Sequence, residues 1–255
     1  MKNIRERLRK NETLIGCFLN LGSSLTAEIV GRAGFDWALI DLEHGAGFES
    51  EVLHQLQALE ATPAAAVIRV EGSERQRFHR VLDLGAHGIM VPRVDTADDA
   101  KRAVAAMRYQ PEGVRGVAQM NRAAVFGSEF ARYFASANSS LLTVLQVETK
   151  ESLANLDAIA AIDGCDVLFV GPADLSQSLG ILGQVDHPVF LEAVKATANA
   201  ARKHQKTAGI LAKGPEDCRR YWDMGYRFIA CNSDGGLLNL GARGLSSSLK
   251  AALPA

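Results

Sequence analysis

The sequence predicts a closed (β/α)8 barrel, and three observations carry that prediction. Short apolar runs alternate with helix-periodic segments from one end of the chain to the other. A length of 255 residues, 47% of them hydrophobic, suits one barrel with a sizeable core. Polar side chains collect where the apolar runs stop. Parallel strands need helical crossovers, and eight of them close the sheet on itself. An open doubly wound sheet is the structural alternative, but no GxGxxG follows the first strand.

The elements follow in order. Ile4 to Lys10 reads as a short charged amphipathic helix and Leu14 to Leu19 as the first buried strand. Thr26 to Ala33 is helical, Asp36 to Asp41 is the second strand, and Glu49 to Glu60 is a helix with Val52, Leu53, Leu56 and Leu59 on one face. Ala65 to Val70 is the third strand, followed by a helix over Arg75 to Leu84. Gly88 to Pro92 is the fourth strand and Asp98 to Arg108 its helix. Tyr109 to Ser128 has no periodicity and is too long for a simple connection, which marks it as a functional loop. A helix near Glu129 to Ala137 precedes strand five, Leu142 to Glu148, and a helix over Ser152 to Ala161 precedes strand six, Val167 to Val170. Pro188 to Lys203 is helical, Thr207 to Leu211 is strand seven, Glu216 to Met224 is helical, and Arg227 to Cys231 is strand eight. The tail, residues 241–255, holds one more helix, Gly241 to Leu253, with an apolar stripe at Leu245, Leu249 and Leu253. A closed ring of helices has no use for that stripe, so it is expected to pack on another subunit. The whole chain, residues 1–255, reads as one domain.

Composition narrows the partners. A formal charge of −1 with no basic stripe argues against nucleic acid and anionic membranes. No apolar run is long enough to span a bilayer, and the N-terminus runs into no signal-peptide core, so the expected location is the cytoplasm. Cys17, Cys165, Cys218 and Cys231 lack metal-ligand spacing and read as free thiols.

The strand ends carry the chemistry. Strand two ends Asp41-Leu42-Glu43-His44-Gly45, strand three at Arg69, strand five at Gln146 and Glu148, and strand six runs into Gly171-Pro172-Ala173-Asp174. Side chains alternate along a strand, so Gln146 and Glu148 share a face. Gly-Pro after strand six reads as a turn that holds Asp174 at the rim. Glu148 and Asp174 are the candidate ligands of a hard divalent cation, which prefers oxygen donors. With an arginine and an imidazole beside them, they form a set suited to proton transfer next to a carbonyl: the cation polarises a ketone, Arg69 stabilises an enolate oxygen, and His44 moves the proton. His54, His79, His187 and His204 read as surface or capping residues, and His87 lies at the wrong end of strand four. No lysine ends strand six, which disfavours Schiff-base chemistry, although Lys150 and Lys213 stand near rims.

Asp41-Leu42-Glu43-His44, Val67-Ile68-Arg69, Pro111-Glu112-Gly113-Val114-Arg115-Gly116, Leu145-Gln146-Val147-Glu148-Thr149 and Phe169-Val170-Gly171-Pro172-Ala173-Asp174-Leu175 together resemble the HpcH/HpaI aldolase family. The likeness runs from about Ile15 to Asp234 and is greatest to its 2-dehydro-3-deoxyglucarate and 4-hydroxy-2-oxoheptanedioate aldolases. It implies a TIM barrel of the phosphoenolpyruvate/pyruvate-binding type and a class II pyruvate aldolase that splits 4-hydroxy-2-oxo acids into pyruvate and an aldehyde. Mg2+, Mn2+ or Co2+ is the implied cofactor, held by Glu148 and Asp174. The resemblance also makes His44 the base and Arg69 the enolate stabiliser, with Asp41 among the catalytic residues. Gln146, Ala173 and Asp174 would contact pyruvate, with Leu211 and Phe18 beside it. Asp83 would raise the basicity of the histidine and Arg122 would read the aldehyde's carboxylate. Asp83 falls near the end of a helix at the far face of its own barrel, so it reaches a His44 only across a subunit boundary. Members often carry Trp where this chain has Phe18. The resemblance further implies a last helix exchanged between paired barrels and a hexamer built as a trimer of dimers. The alternatives are an oxaloacetate decarboxylase or another carbon–carbon lyase with the same enolate chemistry, and a barrel that only binds an oxo acid.

Overall fold

The computed structural model describes residues 2–253; Met1, Pro254 and Ala255, which the reading of one domain over 1–255 includes, lie outside the described residues. Eight parallel strands close in sequence order: β1 (Leu14–Leu19), β2 (Trp37–Asp41), β3 (Ala65–Arg69), β4 (Gly88–Val91), β5 (Leu142–Val147), β6 (Val167–Val170), β7 (Thr207–Ala212) and β8 (Tyr226–Ser233). Pairing of β1 with β8 seals the ring, Leu14 standing opposite Phe228. The expected barrel is therefore the observed one.

Helices surround it: α1 (Ile4–Arg9), α2 (Ser24–Arg32), α3 (Glu49–Glu60), α4 (Arg75–Asp83), α5 (Ala97–Met107), α6 (Phe130–Ser140), α7 (Lys150–Ala154), α8 (Leu156–Ala160), α9 (Pro172–Ser178), α10 (Pro188–Lys203), α11 (Pro215–Asp223) and α12 (Asp234–Ala252). Six of these twelve start on a side-chain cap: α1, α2, α5, α7, α10 and α12. The Thr96 hydroxyl accepts from Asp99 N and the Asp99 carboxylate accepts from Thr96 N, so two free donors at the head of α5 are satisfied together. No described helix is long and apolar enough to cross a membrane.

Three expectations need correction. The helix expected over Ser152 to Ala161 is two pieces, α7 and α8, because Asn155 breaks the run and turns its amide to Asp95 O. Gly-Pro after β6 opens a helix, α9, rather than a simple turn, since Pro172 at its first position loses no needed hydrogen bond. The last helix starts at Asp234 rather than Gly241. Ser233 caps it by accepting from Gly236 N, so Gly235 and Gly236, which resemble a loop in sequence, lie in its first turn.

Two apolar layers result from the two-residue period of the strands. Inward residues, among them Leu14, Trp37, Leu39, Val67, Val144, Val167, Phe169 and Phe228, fill the barrel, and Trp37 stacks on Phe228 with centroids 3.9 Å apart. Ile4 and Leu8 of α1 join this inner cluster and plug the floor. Outward residues such as Ile40, Ile68, Ile89 and Val170 pack beneath the helices. Each such side chain, fully buried, contributes ~1.5–3 kcal/mol. The inner face changes character as it rises: Trp37, Leu39, then Asp41 on β2; Ala65, Val67, then Arg69 on β3; Leu142, Val144, then Gln146 on β5. An apolar stack thus ends in a polar rim.

Candidate active site

Strand register brings the first pair together. Asp41 stands opposite Arg69 across β2 and β3, and both point up the barrel. Arg69 donates from Nε to Asp41 Oδ1 at 2.9 Å and from Nη2 to Oδ2 at 2.7 Å, a bidentate clasp in which the arginine is 7% exposed and the aspartate 2%. A third contact joins Arg69 Nη1 to Glu43 Oε2 at 2.9 Å. Burial works against the guanidinium's charge, but the bonds to Asp41 and the nearby Asp41, Glu43 and Glu148 outweigh it and raise its pKa. Arg69 also lies over the Phe18 ring, 5.4 Å from the centroid, which fixes the wall next to it. Asp41 organises the turn as well, because Oδ1 accepts from Glu43 N and His44 N and Oδ2 from Asn20 Nδ2. That turn leaves the His44 side chain 64% exposed, over the cavity, with Nε2 4.0 Å from Glu43 Oε2.

Glu148 lies just past β5 and is 3% exposed. Its Oε1 accepts from Arg93 N at 2.6 Å and its Oε2 from Gln146 Nε2 at 2.8 Å. Burial, aided by the like charges of Asp174 and Glu43, pushes its pKa up to about 7. Burial likewise raises the Glu43 carboxyl, against the pull of Arg69. Gly171 makes room for this carboxylate: a Cβ there would come within 2.6 Å of Glu148 Oε2. Asp174, in the first turn of α9, brings a second carboxylate to the same opening.

These residues enclose a cavity of about 340 Å³ at the C-terminal ends of the strands, lined by Phe18, Asn20, His44, Arg69, Gln146, Phe169, Ala173, Asp174, Leu211 and Asn232 among others. It is large enough for a small acid. Two larger hollows, about 870 and 600 Å³, open at the other end of the barrel around Asp166 and Lys206 and around His87 and Arg122. Neither sits where barrel catalysis is built, at the C-terminal strand ends.

The structure therefore gathers Phe18, Asp41, His44, Arg69, Gln146, Glu148, Ala173, Asp174 and Leu211 at one rim. Asp83 and Arg122 are elsewhere. Asp83 ends α4 and accepts from Arg115 Nη2 at 2.7 Å, while Arg122 donates to Leu84 O and pairs with Glu60. Neither reaches the rim of its own barrel: α4 returns from the rim and ends at the floor, and the loop that carries Arg122 packs against that end. Glu43 is the residue that sequence reasoning passed over, although it stands between the two singled out, Asp41 and His44.

A cation fits this donor set. Glu148 and Asp174 offer carboxylate oxygens, the Asp174 charge adds to the burial that raises the Glu148 pKa, and Gln146 Oε1 is buried with no protein partner among the described residues. No three His, Cys, Asp or Glu side chains of the described residues converge as a full protein cage. Two carboxylates completed by water and substrate oxygens is the mode of Mg2+-type ions.

The sequence pattern of the HpcH/HpaI aldolase/citrate lyase family matches residues 14–239. The chain belongs to that family. The HpcH/HpaI family is generally divalent-metal dependent, and its aldolases are carbon–carbon lyases. The 5-keto-4-deoxy-D-glucarate aldolase of Shigella boydii serotype 18 is 40% identical over 243 residues, covering 95% of this chain and 94% of the relative. A crystal structure of an HpcH/HpaI aldolase/citrate lyase family protein from Burkholderia cenocepacia J2315 superposes with a TM-score of 0.94 at 37% identity, covering 98% and 100% of the two chains. The citrate synthase SbnG gives a TM-score of 0.87 at 27% identity, with 99% and 98% covered.

Proposed function

We propose that this HpcH/HpaI family member is a class II pyruvate aldolase that reversibly cleaves 4-hydroxy-2-oxo dicarboxylic acids, with 5-keto-4-deoxy-D-glucarate its substrate. Carrying the reading is the convergence of Arg69, Gln146 and Asp174 on one cavity, with the buried Glu148 carboxylate held directly behind Gln146: one fixed cation, one amide and two carboxylates. The similarity to the Shigella aldolase supports the choice of substrate.

A divalent cation held by Glu148 and Asp174 would supply Lewis-acid polarisation of the 2-oxo group. The remaining steps belong to the chain. Arg69, held rigid by Asp41 and Glu43, faces the oxygen on which negative charge develops and needs no reorganisation to stabilise it. His44 takes the proton of the 4-hydroxyl. The C3–C4 bond then breaks, its electron pair goes to C3 to form the enolate, and the aldehyde leaves. Protonation at C3 gives pyruvate. Phe18, Phe169 and Leu211 keep water from the carbon that carries the electron pair. Ala173 offers backbone to the pyruvate carboxylate.

Assembly completes the reading. The leucines of α12, 56–70% exposed at Leu238, Leu240, Leu245, Leu249 and Leu253, call for a covering surface. In this reading α12 is exchanged between two barrels and three such pairs form a hexamer, so that Asp83 and Arg122 serve a neighbouring rim. Asp83 there would raise the basicity of His44 and Arg122 would read the aldehyde's carboxylate. The enzyme would act in the cytoplasm on small molecules.

The test is pyruvate release from 5-keto-4-deoxy-D-glucarate with Mg2+, Mn2+ or Co2+, with oxaloacetate at equal concentration as comparison. Activity is expected with the diacid and lost in EDTA. Full activity in chelator, or a preference for oxaloacetate by orders of magnitude, would overturn the reading.

A further inference from the structure

The rim cavity has a second chemistry on the side formed by β1 and β8. Asn20, Asn232 and Ser233 line it there, and of the three only Asn20 is tied to the pyruvate half, through Asp41. The backbone is rearranged to present them. Gly16 pairs with Ala230 but Phe18 with Ser233, so β8 carries one extra residue against β1 at this point. Asn232 sits in that bulge with φ of 64°, a left-handed conformation that asparagine tolerates better than most residues. Gly236 leaves room for its side chain, since a Cβ there would come within 2.0 Å of Asn232 Oδ1. A bulge, an unusual backbone angle and a missing side chain thus converge on one amide, and such irregularities cluster at functional sites.

Accounting for the polar atoms shows what remains free. Asn232 Oδ1 accepts from Ser233 N at 2.8 Å, which leaves Nδ2 without a protein partner among the described residues. Ser233 Oγ accepts from Gly236 N at 3.1 Å and keeps its hydroxyl proton to give. Asn20 Nδ2 donates to Asp41 Oδ2 at 3.0 Å, and its Oδ1 is unused. Two donors and one acceptor, all uncharged, are therefore left unpaired on residues that line the cavity together with His44. An unsubstituted aldehyde would leave all three unmatched.

We infer that Asn20, Asn232 and Ser233 form an acceptor subsite that selects aldehydes bearing a hydroxyl on the carbon next to the carbonyl. The inference rests on the aldolase reading and deepens it. Retro-aldol cleavage of 5-keto-4-deoxy-D-glucarate releases such an aldehyde, 2-hydroxy-3-oxopropanoate. Asn232 Nδ2 and the Ser233 hydroxyl donate to the aldehyde's hydroxyl oxygen, and Asn20 Oδ1 accepts the hydroxyl proton. A site built around a substrate hydroxyl discriminates more sharply than an apolar one, because its own polar groups are left unpaired by the wrong substrate.

Glycolaldehyde and acetaldehyde differ by that one hydroxyl and serve as the probe pair, each added to pyruvate in the aldol direction with the full-length enzyme and Mg2+. The wild type is expected to favour glycolaldehyde in kcat/KM by about 10²-fold. Asn232→Gly keeps the left-handed backbone and removes the amide, and Ser233→Ala removes the hydroxyl, which is also the cap of α12, so a thermal melt is run beside it. Each is expected to cut the preference about tenfold or more while acetaldehyde turnover holds. Exchange of the pyruvate methyl protons with deuterium, followed by NMR without any aldehyde, reads the pyruvate half alone. Exchange in both variants at the wild-type rate, with an unchanged acceptor preference, would overturn the subsite. Absence of exchange in the wild type would instead sink the aldolase reading. If Asn232→Gly fails to fold, Ser233→Ala decides.

Discussion

Asp41 grips Arg69 through both carboxylate oxygens, at 2.9 and 2.7 Å, with the two groups almost wholly buried. The same carboxylate accepts the amide protons of Glu43 and His44, so one side chain sets both the cation and the base.

Asp41→Asn is therefore expected to be worse than its small change in size suggests. Turnover should fall about 10²-fold or more, because the guanidinium loses its fixed orientation. Removing one partner of a buried pair costs ~3–5 kcal/mol, and retention of Glu43 on Nη1 puts this case at the low end. Pyruvate release and urea unfolding measure the two effects separately.

Gly171→Ala should weaken metal binding without unfolding the barrel. The added methyl would meet Glu148 Oε2 at 2.6 Å and Gln146 Nε2 at 3.2 Å, both ends of side chains that can move. Moving them spoils the donor set, so Mn2+ affinity is expected to drop about tenfold or more, as for other changes just outside a metal's ligands. Electron paramagnetic resonance of free Mn2+ reads it directly.

His87 gives the barrel an acid-sensitive floor. It accepts a hydrogen bond from Ala66 N, and burial, helped by the Lys2 charge, lowers its pKa to about 4. The unfolded chain, with an ordinary value near 6.5, binds the proton first, so stability is full above about 6.5 and declines as pH falls toward 4. The decline attributable to this residue is up to about 3 kcal/mol. His87→Gln should flatten the urea-midpoint profile between those limits.

Deleting α12 from Gly241 onward should lower the mass seen by light scattering. The cut leaves Asn232 to Gly236 intact and removes the exposed turns that carry Leu245 and Leu249, while Leu238 and Leu240 stay. An unchanged mass with unchanged activity would show that the turns beyond Gly241 are not the joint between subunits.

Sequence periodicity located all eight strands because five are buried along their whole length and the other three along half of it or more, so that each reads as an apolar run. Arg69, Gln146 and Glu148 were legible for the opposite reason: they are polar residues where an apolar run should continue. Boundaries failed where one side chain rewrites the local code. Ser233 caps a helix across two glycines, and Asn155 splits a helix whose flanks both look regular. Glu43 went unread because its role depends on Arg69 Nη1, a contact between strands that no local pattern encodes. The free atoms of Asn20 and Asn232 were illegible too, since they follow from a register slip and a left-handed residue.

Closure of β1 on β8 has a consequence for biosynthesis. Leu14 leaves the ribosome long before its partner Phe228, so vectorial synthesis and sheet formation are out of step by the length of the barrel. Every nascent chain that stops before Tyr226 has a parallel sheet with two bare edges, each a template for pairing with another chain. Arg5 adds to the delay, because it docks on Asp166 and on the carbonyls of Asn138 and Ser139, which do not yet exist when it emerges. The interval of greatest aggregation risk therefore runs from the first strand to the emergence of the eighth.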